Sequence, residues 1–253
     1  MAIVPSTAQF RADTTGVTVE QLGSELTNSR AAFFTMADIA QSAGPTTNNT
    51  VYGLNAFENN ISGVNNTAIG SEAFRLNQIG SYSTAVGQAS MYSNVSGQNN
   101  TALGSFASFA NTIGDNNVAV GQGAMQNNQI GSNSTAVGKR ALFGLTVDSP
   151  NTALGYGAGM QLAFGSGNTI LGTSAMEYET IGNNNTVVGH FATSLAGDNS
   201  IVLGAGAYSV ASNQLAIGSS SSPVGTFTTY AGAAAEYWDV YINGQTKRIM
   251  LAP

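Results

Sequence analysis

Asn66-Thr67-Ala68-Ile69-Gly70 is the stretch on which the fold turns, because it returns down the chain with a fixed step. Asn100-Thr101-Ala102-Leu103-Gly104, Asn151-Thr152-Ala153-Leu154-Gly155 and Asn185-Thr186-Val187-Val188-Gly189 are later copies. The closing glycine falls at Gly53, Gly70, Gly87, Gly104, Gly121, Gly138, Gly155, Gly172 and Gly189, every 17 residues, and then at shorter steps at Gly204 and Gly218. With this glycine as position 0, position −1 is apolar (Tyr52, Ile69, Val86, Leu103 and onward to Ile217), −2 is usually Ala and −3 mostly Thr. A second glycine recurs at +10, at Gly63, Gly80, Gly97, Gly114, Gly131, Gly165 and Gly182, with Asp148 in its place once.

A fixed period of this length signals a repeat architecture. Three alternating residues bounded by glycine read as a short strand entering a tight corner, too short for a helix. Seventeen residues at roughly 3.3 Å each close only a flattened loop, so each repeat is one coil of an all-β solenoid, stacked about 4.8 Å from the next. The copies then make a rod on the order of 50 Å long. The corner glycines are explained by a backbone at positive φ or passing close to a neighbouring coil.

Asparagine, at 26 residues, follows the same period. Asn60, Asn77, Asn94, Asn111 and Asn128 share +7, while Asn66, Asn100, Asn117, Asn151, Asn168 and Asn185 share −4, so stacking predicts two uncharged amide ladders. The first lapses at Leu145, Leu162 and Glu179, which predicts a different side surface on the distal half. The expected core is thin: the −1 aliphatic residues, a +4 column (Phe57, Phe74, Met91, Met125, Leu142, Met176) and a +9 column (Ile79, Ile113, Ile130, Phe164, Ile181), with Thr inward. Ala at −2 and +3 is expected to point outward and let neighbouring chains pack closely. A closed ring of subunits, threefold in a fibre, would bury what one coil cannot.

Composition narrows the function. Only 8% of residues are charged, against roughly 25% in an ordinary domain, and 42% are hydrophobic. The absence of cysteine removes disulfides and thiolate chemistry, and the single histidine, His190, leaves no pair for zinc. A net charge of −6 argues against nucleic acid as a partner, and no apolar run approaches the roughly 20 residues of a membrane span. His190 falls in a surface column beside Ser71, Gln88, Ser105, Gln122 and Lys139. Asp115 and Asp198 are isolated carboxylates, too few to gather the oxygens that calcium requires. Glu177 and Glu179 lack partners for glycosidase chemistry. No catalytic residue, metal or cofactor is expected, and the chain reads as non-enzymatic.

The Asn-Thr-Ala-Ile-Gly run at residues 66 to 70 and its copies through residue 189 resemble the head repeats of trimeric autotransporter adhesins, in a 17-residue form also found in bacteriophage fibre proteins. The resemblance covers roughly residues 46 to 218 and implies a left-handed parallel β-roll assembled as a homotrimer. With no secretion signal at the start and no membrane barrel at the end, it favours a structural fibre of a virus particle, located on the virion and mediating host-surface attachment. The alternatives are a bacterial surface adhesin head and, less favoured, an ice-binding solenoid. The last is set aside because there is one Thr per coil and the alternation turns it inward.

Three segments result. Residues 1–45 form an anchoring segment with one helix over residues 17–43: Thr18 and Gln21 make a capping box, Gly44-Pro45 a stop, and Val19, Leu22, Leu26, Phe33, Met36 and Ala40 a heptad stripe. This segment is expected to contact capsid or tail proteins. Residues 46–218 are the roll. Residues 219–253 end in a β-hairpin about Asn243-Gly244, which would pair Asp239 with Arg248 and Trp238 with Ile249. This last segment would cap the roll or form its tip. Tyr230, Tyr237, Trp238 and Tyr241 are its candidate contacts to a host glycan or protein.

Overall fold

The computed structural model describes residues 48–147, 150–195 and 197–218, and the backbone of two further strands, Tyr237–Ile242 and Gln245–Met250. The helix expected over residues 17–43, the rest of segment 1–45, the Asn243-Gly244 turn and Tyr230 lie outside the described residues.

The chain is an all-β parallel solenoid. Eleven three-residue strands, from Thr50–Tyr52 to Leu215–Ile217, form one parallel sheet in strict chain order. Each strand pairs with the same residues one coil on: Thr67 with Thr84, Ala68 with Ala85, Ile69 with Val86. The register stays at 17 residues through Thr186–Val188, then shortens so that Ile201 pairs with Thr186 and Leu215 with Ile201. In these last coils a second short parallel pair forms, Thr193–Ser194 with Tyr208–Ser209. The turns are stitched from coil to coil as well: the Phe57 N–H donates to the Ala73 carbonyl at 2.9 Å, and Met91 to Ala107 at 2.9 Å. Nearly every backbone group in the coil thus has a neighbour to bond, which lets so lightly hydrophobic a coil hold together. The two C-terminal strands pair antiparallel, Trp238 opposite Ile249 and Asp239 opposite Arg248.

The strand alternation runs opposite to the expectation. Ala68, Ala85, Ala102, Ala119, Ala136 and Ala153 at −2 are fully buried, while Thr at −3 and the aliphatic residues at −1 face outward. Ala at +3, including Ala73, Ala107 and Ala141, is also inside. The reason is width. The +4 side chains Phe74, Met91, Met125 and Leu142 are fully buried as expected and occupy most of the interior, so the facing wall has room for a methyl group and little more. Where +4 shrinks to Gly159, the next −2 residue grows to Ile170, whose Cδ1 would stand 2.9 Å from a Cβ on that glycine. The +9 column is corrected too: Ile79, Ile113, Ile130, Phe164 and Ile181 are exposed.

Both asparagine columns are buried. At +7, Asn77, Asn94 and Asn111 donate in turn to the Oδ1 of Asn60, Asn77 and Asn94, at 3.1, 2.8 and 2.8 Å. Leu145 and Leu162 continue this column inside the coil, so its lapse changes the core and leaves the side surface as it was. At −4 the amides clip backbone to backbone. Asn117 donates from Nδ2 to the Gly131 carbonyl at 2.7 Å and accepts the Ser134 N–H at 3.0 Å, and Ser83 and Ser134 stand in where asparagine is missing.

Candidate functional site

The repeat glycines mark the corners. Gly121 has φ +127°, and a Cβ there would lie 2.6 Å from both the carbonyl carbon and oxygen of Gly138 in the next coil. Positive φ and close approach therefore act together, and the same contact recurs at Gly70, Gly87 and Gly104. Less visible in sequence are the left-handed residues that are not glycine. Phe57, Phe74, Met91, Met125, Leu142 and Met176 at +4 have φ between 47° and 56°. Burial of each large side chain offsets the strain. Asn48, Asn65, Asn99, Asn116, Asn133, Asn184, Asn199 and Asn213 form a third asparagine column at −5, with φ between 48° and 61°. Asparagine tolerates that conformation, which gives this column a reason apart from the two ladders.

Three outward surfaces result. The sheet face carries the Thr column beside the aliphatic column, with Leu103, Leu154 and Leu171 prominently exposed. A second apolar stripe runs along the +9 column, from Ile79 to Ile181. The turns at +1, +2 and +5 carry Arg75, Tyr92, Phe106, Phe109, Lys139, Arg140 and Phe143. Tyr92 stacks on Phe109 with centroids 5.1 Å apart, and Arg75 lies 5.9 Å from the Tyr92 ring. Arg75 also bonds Glu58 at 2.7 Å and Glu72 at 3.1 Å, and chiefly the Glu58 hydrogen bond raises its pKa above the ordinary value.

The singled-out chemical residues fall on separate surfaces. His190 is exposed and lies against the Phe191 ring at 4.3 Å. Asp115 accepts the Gln98 N–H and Asp198 the Asn183 N–H, each at 2.7 Å, doing for the coil below what Ser81 does for Val64. That is a backbone clip, and it accounts for both aspartates without calcium. Glu179 takes the +7 place, with Oε2 shielded and unpaired among the described residues, and Glu177 is half-buried. No group of three potential metal ligands occurs among the described residues, and no helix there is long and apolar enough to cross a membrane. Tyr178 and Tyr208 are exposed, whereas the side chains of Tyr237, Trp238 and Tyr241 lie outside what is described. Comparison with family models, with curated proteins and with solved structures finds no match to this chain.

Proposed function

We propose that the chain is a non-catalytic structural fibre of a virus particle, a left-handed homotrimeric roll that stands on the virion and contacts the host surface. The observation that carries this reading is the sheet face: an unbroken outward column of Tyr, Ile, Val and Leu over eleven coils. A single chain leaves this column half exposed, and burial of the remainder would contribute on the order of 1 kcal/mol for each aliphatic side chain. Packing of three rods along a common axis buries it from end to end. Corrected alternation moves the interface from the alanines to the −1 and −3 columns and leaves the proposed assembly intact. Residues 1–45 supply the foot on capsid or tail proteins, and the tip lies within residues 219–253, with Tyr230, Tyr237, Trp238 and Tyr241 as contacts. Antibody-labelled electron micrographs of source particles test it: label at projecting fibres is expected, and particles that carry none remove the reading.

The outward Thr column favours a second reading, an ice-binding solenoid. Thr50, Thr67, Thr84 and Thr101 present hydroxyl and methyl groups once per coil on a regular sheet. Thermal hysteresis of the purified chain decides it, and a trimer that covers this face predicts none.

A further inference from the structure

Within the roll the described Lys and Arg residues, Arg75, Lys139 and Arg140, lie on the turn surface, and there they divide into two kinds. Arg75 is neutralised by Glu58 and Glu72. Lys139 and Arg140, by contrast, form no ion pair among the described residues, in a chain whose net charge is −6. Arg140 instead lies 5.7 Å from the Phe143 ring centroid. One coil earlier the turn narrows to Gly123, with φ +65°. A Cβ there would stand 3.1 Å from Gln126 Oε1, 3.6 Å from the Phe143 ring and 3.8 Å from Arg140 Cγ. The Gln126 amide, the Phe143 ring and the aliphatic stem of Arg140 thus close over Gly123, which is itself buried, and leave the Arg140 guanidinium, without an ion pair among the described residues, at the exposed rim. On the other flank, Phe106 and Phe109 sit at 5.8 Å, and Phe109 is the end of the stack begun by Tyr92. Phe109 and Phe143 share the +5 column two coils apart, about 10 Å, with Gln126 between them.

We propose that Phe109, Gln126, Arg140 and Phe143, on the turn surface above the buried Gly123, bind an acidic oligosaccharide, one carrying a uronic or sialic carboxylate. The chemistry selects that class. A pyranose presents a face of weakly positive C–H groups to the negative face of an aromatic ring. The amide of Gln126 both donates and accepts to hydroxyls. The carboxylate meets a guanidinium with no competing acid, and bidentate pairing of this kind is the strong form. The site deepens the attachment reading and rests on it, placing a glycan contact on the side of the rod in addition to any at its tip.

The full-length chain is tested on immobilised oligosaccharides containing galacturonate or sialate, each beside its neutral counterpart, and on inorganic polyphosphate as an anion without a sugar or aromatic face. Retention of an acidic member is expected, with its neutral counterpart bound at least about tenfold more weakly and affinity falling as salt rises. Arg140→Gln and Phe143→Ala should each weaken binding by roughly tenfold, and Arg75→Gln should leave it unchanged. Arg140 is exposed, so Arg140→Gln should keep the circular dichroism melt of the wild type. No acidic oligosaccharide retained, binding indifferent to Arg140→Gln, or polyphosphate bound more tightly would each overturn the site. Cells that hold the wild-type chain and Arg140→Gln equally leave attachment standing and remove the site. A chain that binds acidic glycans but is missing from particles does the reverse.

Discussion

Asn94 donates from Nδ2 to Oδ1 of Asn77, 2.8 Å away and one coil earlier, and both side chains are fully buried. The same Nδ2 reaches the Gly97 carbonyl, and Asn94 Oδ1 accepts from Asn111, so one amide ties three coils. Asn111 Oδ1 ends the run, buried and without a partner among the described residues, where Asn128 bonds within its own turn to Gly131. The ladder has a middle and an end.

Its two parts should respond differently to the substitution the chain itself makes at Leu145. Asn94→Leu leaves Asn77 Oδ1 without its donor and takes from Asn111 Nδ2 one of its two acceptors, at about 1–3 kcal/mol for each buried group left unpaired. Asn128→Leu strands no amide of another coil, only the Gly131 N–H of its own turn, and places a leucine beside Leu145, so it should cost less. Urea unfolding of the two variants under identical conditions ranks them, and an equal loss would contradict a coupled ladder.

Gly121→Ala should be severe. The Cβ meets the Gly138 backbone at 2.6 Å, and φ +127° adds strain beyond the ~1–3 kcal/mol of an ordinary left-handed residue. Gly157→Asn is the control: φ is +63°, only Ser174 Oγ lies near at 3.8 Å, and Asn55 already adopts this conformation at +2. A change within about 0.5 kcal/mol is expected there. Thermal melts of both variants check the contrast.

The period, the corners and the +7 asparagine ladder were legible because each depends on backbone geometry, and geometry repeats wherever the sequence does; the −4 column, expected as a second ladder, instead clips backbone groups of adjacent coils. The direction of the strand alternation was not, because alanine suits a tight interior and an outer surface equally well. Aliphatic residues at −1 read as core by ordinary preference, yet their neighbours fill the coil. The signal that discriminates was present at Ile170, Val187 and Val202, where −2 turns large and apolar while −1 stays so. A surface column has no reason to make that exchange, and a core facing Gly159 has one. The left-handed +4 residues carried no sequence mark, since burial selects Phe and Met where backbone strain alone would favour glycine or asparagine. The candidate glycan site was equally hidden. Its residues come from three coils, and only the stacking geometry joins them.

Asp115 tests the clip against a cation. Removing its carboxylate in Asp115→Ala leaves the Gln98 N–H, an exposed group, to water, so the loss should stay near 1 kcal/mol. Addition of calcium to the wild-type chain should not move the melting temperature. A rise of several degrees that Asp115→Ala abolishes would restore a metal to this position.

The exposed leucines allow assembly to be separated from folding. Leu154 is 48% exposed in one chain, so a charge there meets water and the coil beneath should persist. In a trimer closed along the sheet face, Leu154→Glu places three carboxylates together in an apolar seam, and isolated buried charges of that kind are strongly disfavoured. The variant should elute as a folded monomer whose far-ultraviolet spectrum matches the wild type, with mass read by light scattering coupled to chromatography. Ala153→Glu, one residue away, drives its carboxylate into the coil, where Ala153 is fully buried, and should abolish the β signal altogether. An aliphatic column that served only a single chain would make Leu154→Glu silent in mass. A wild-type chain that is a stable monomer at micromolar concentration would end the trimer proposal outright.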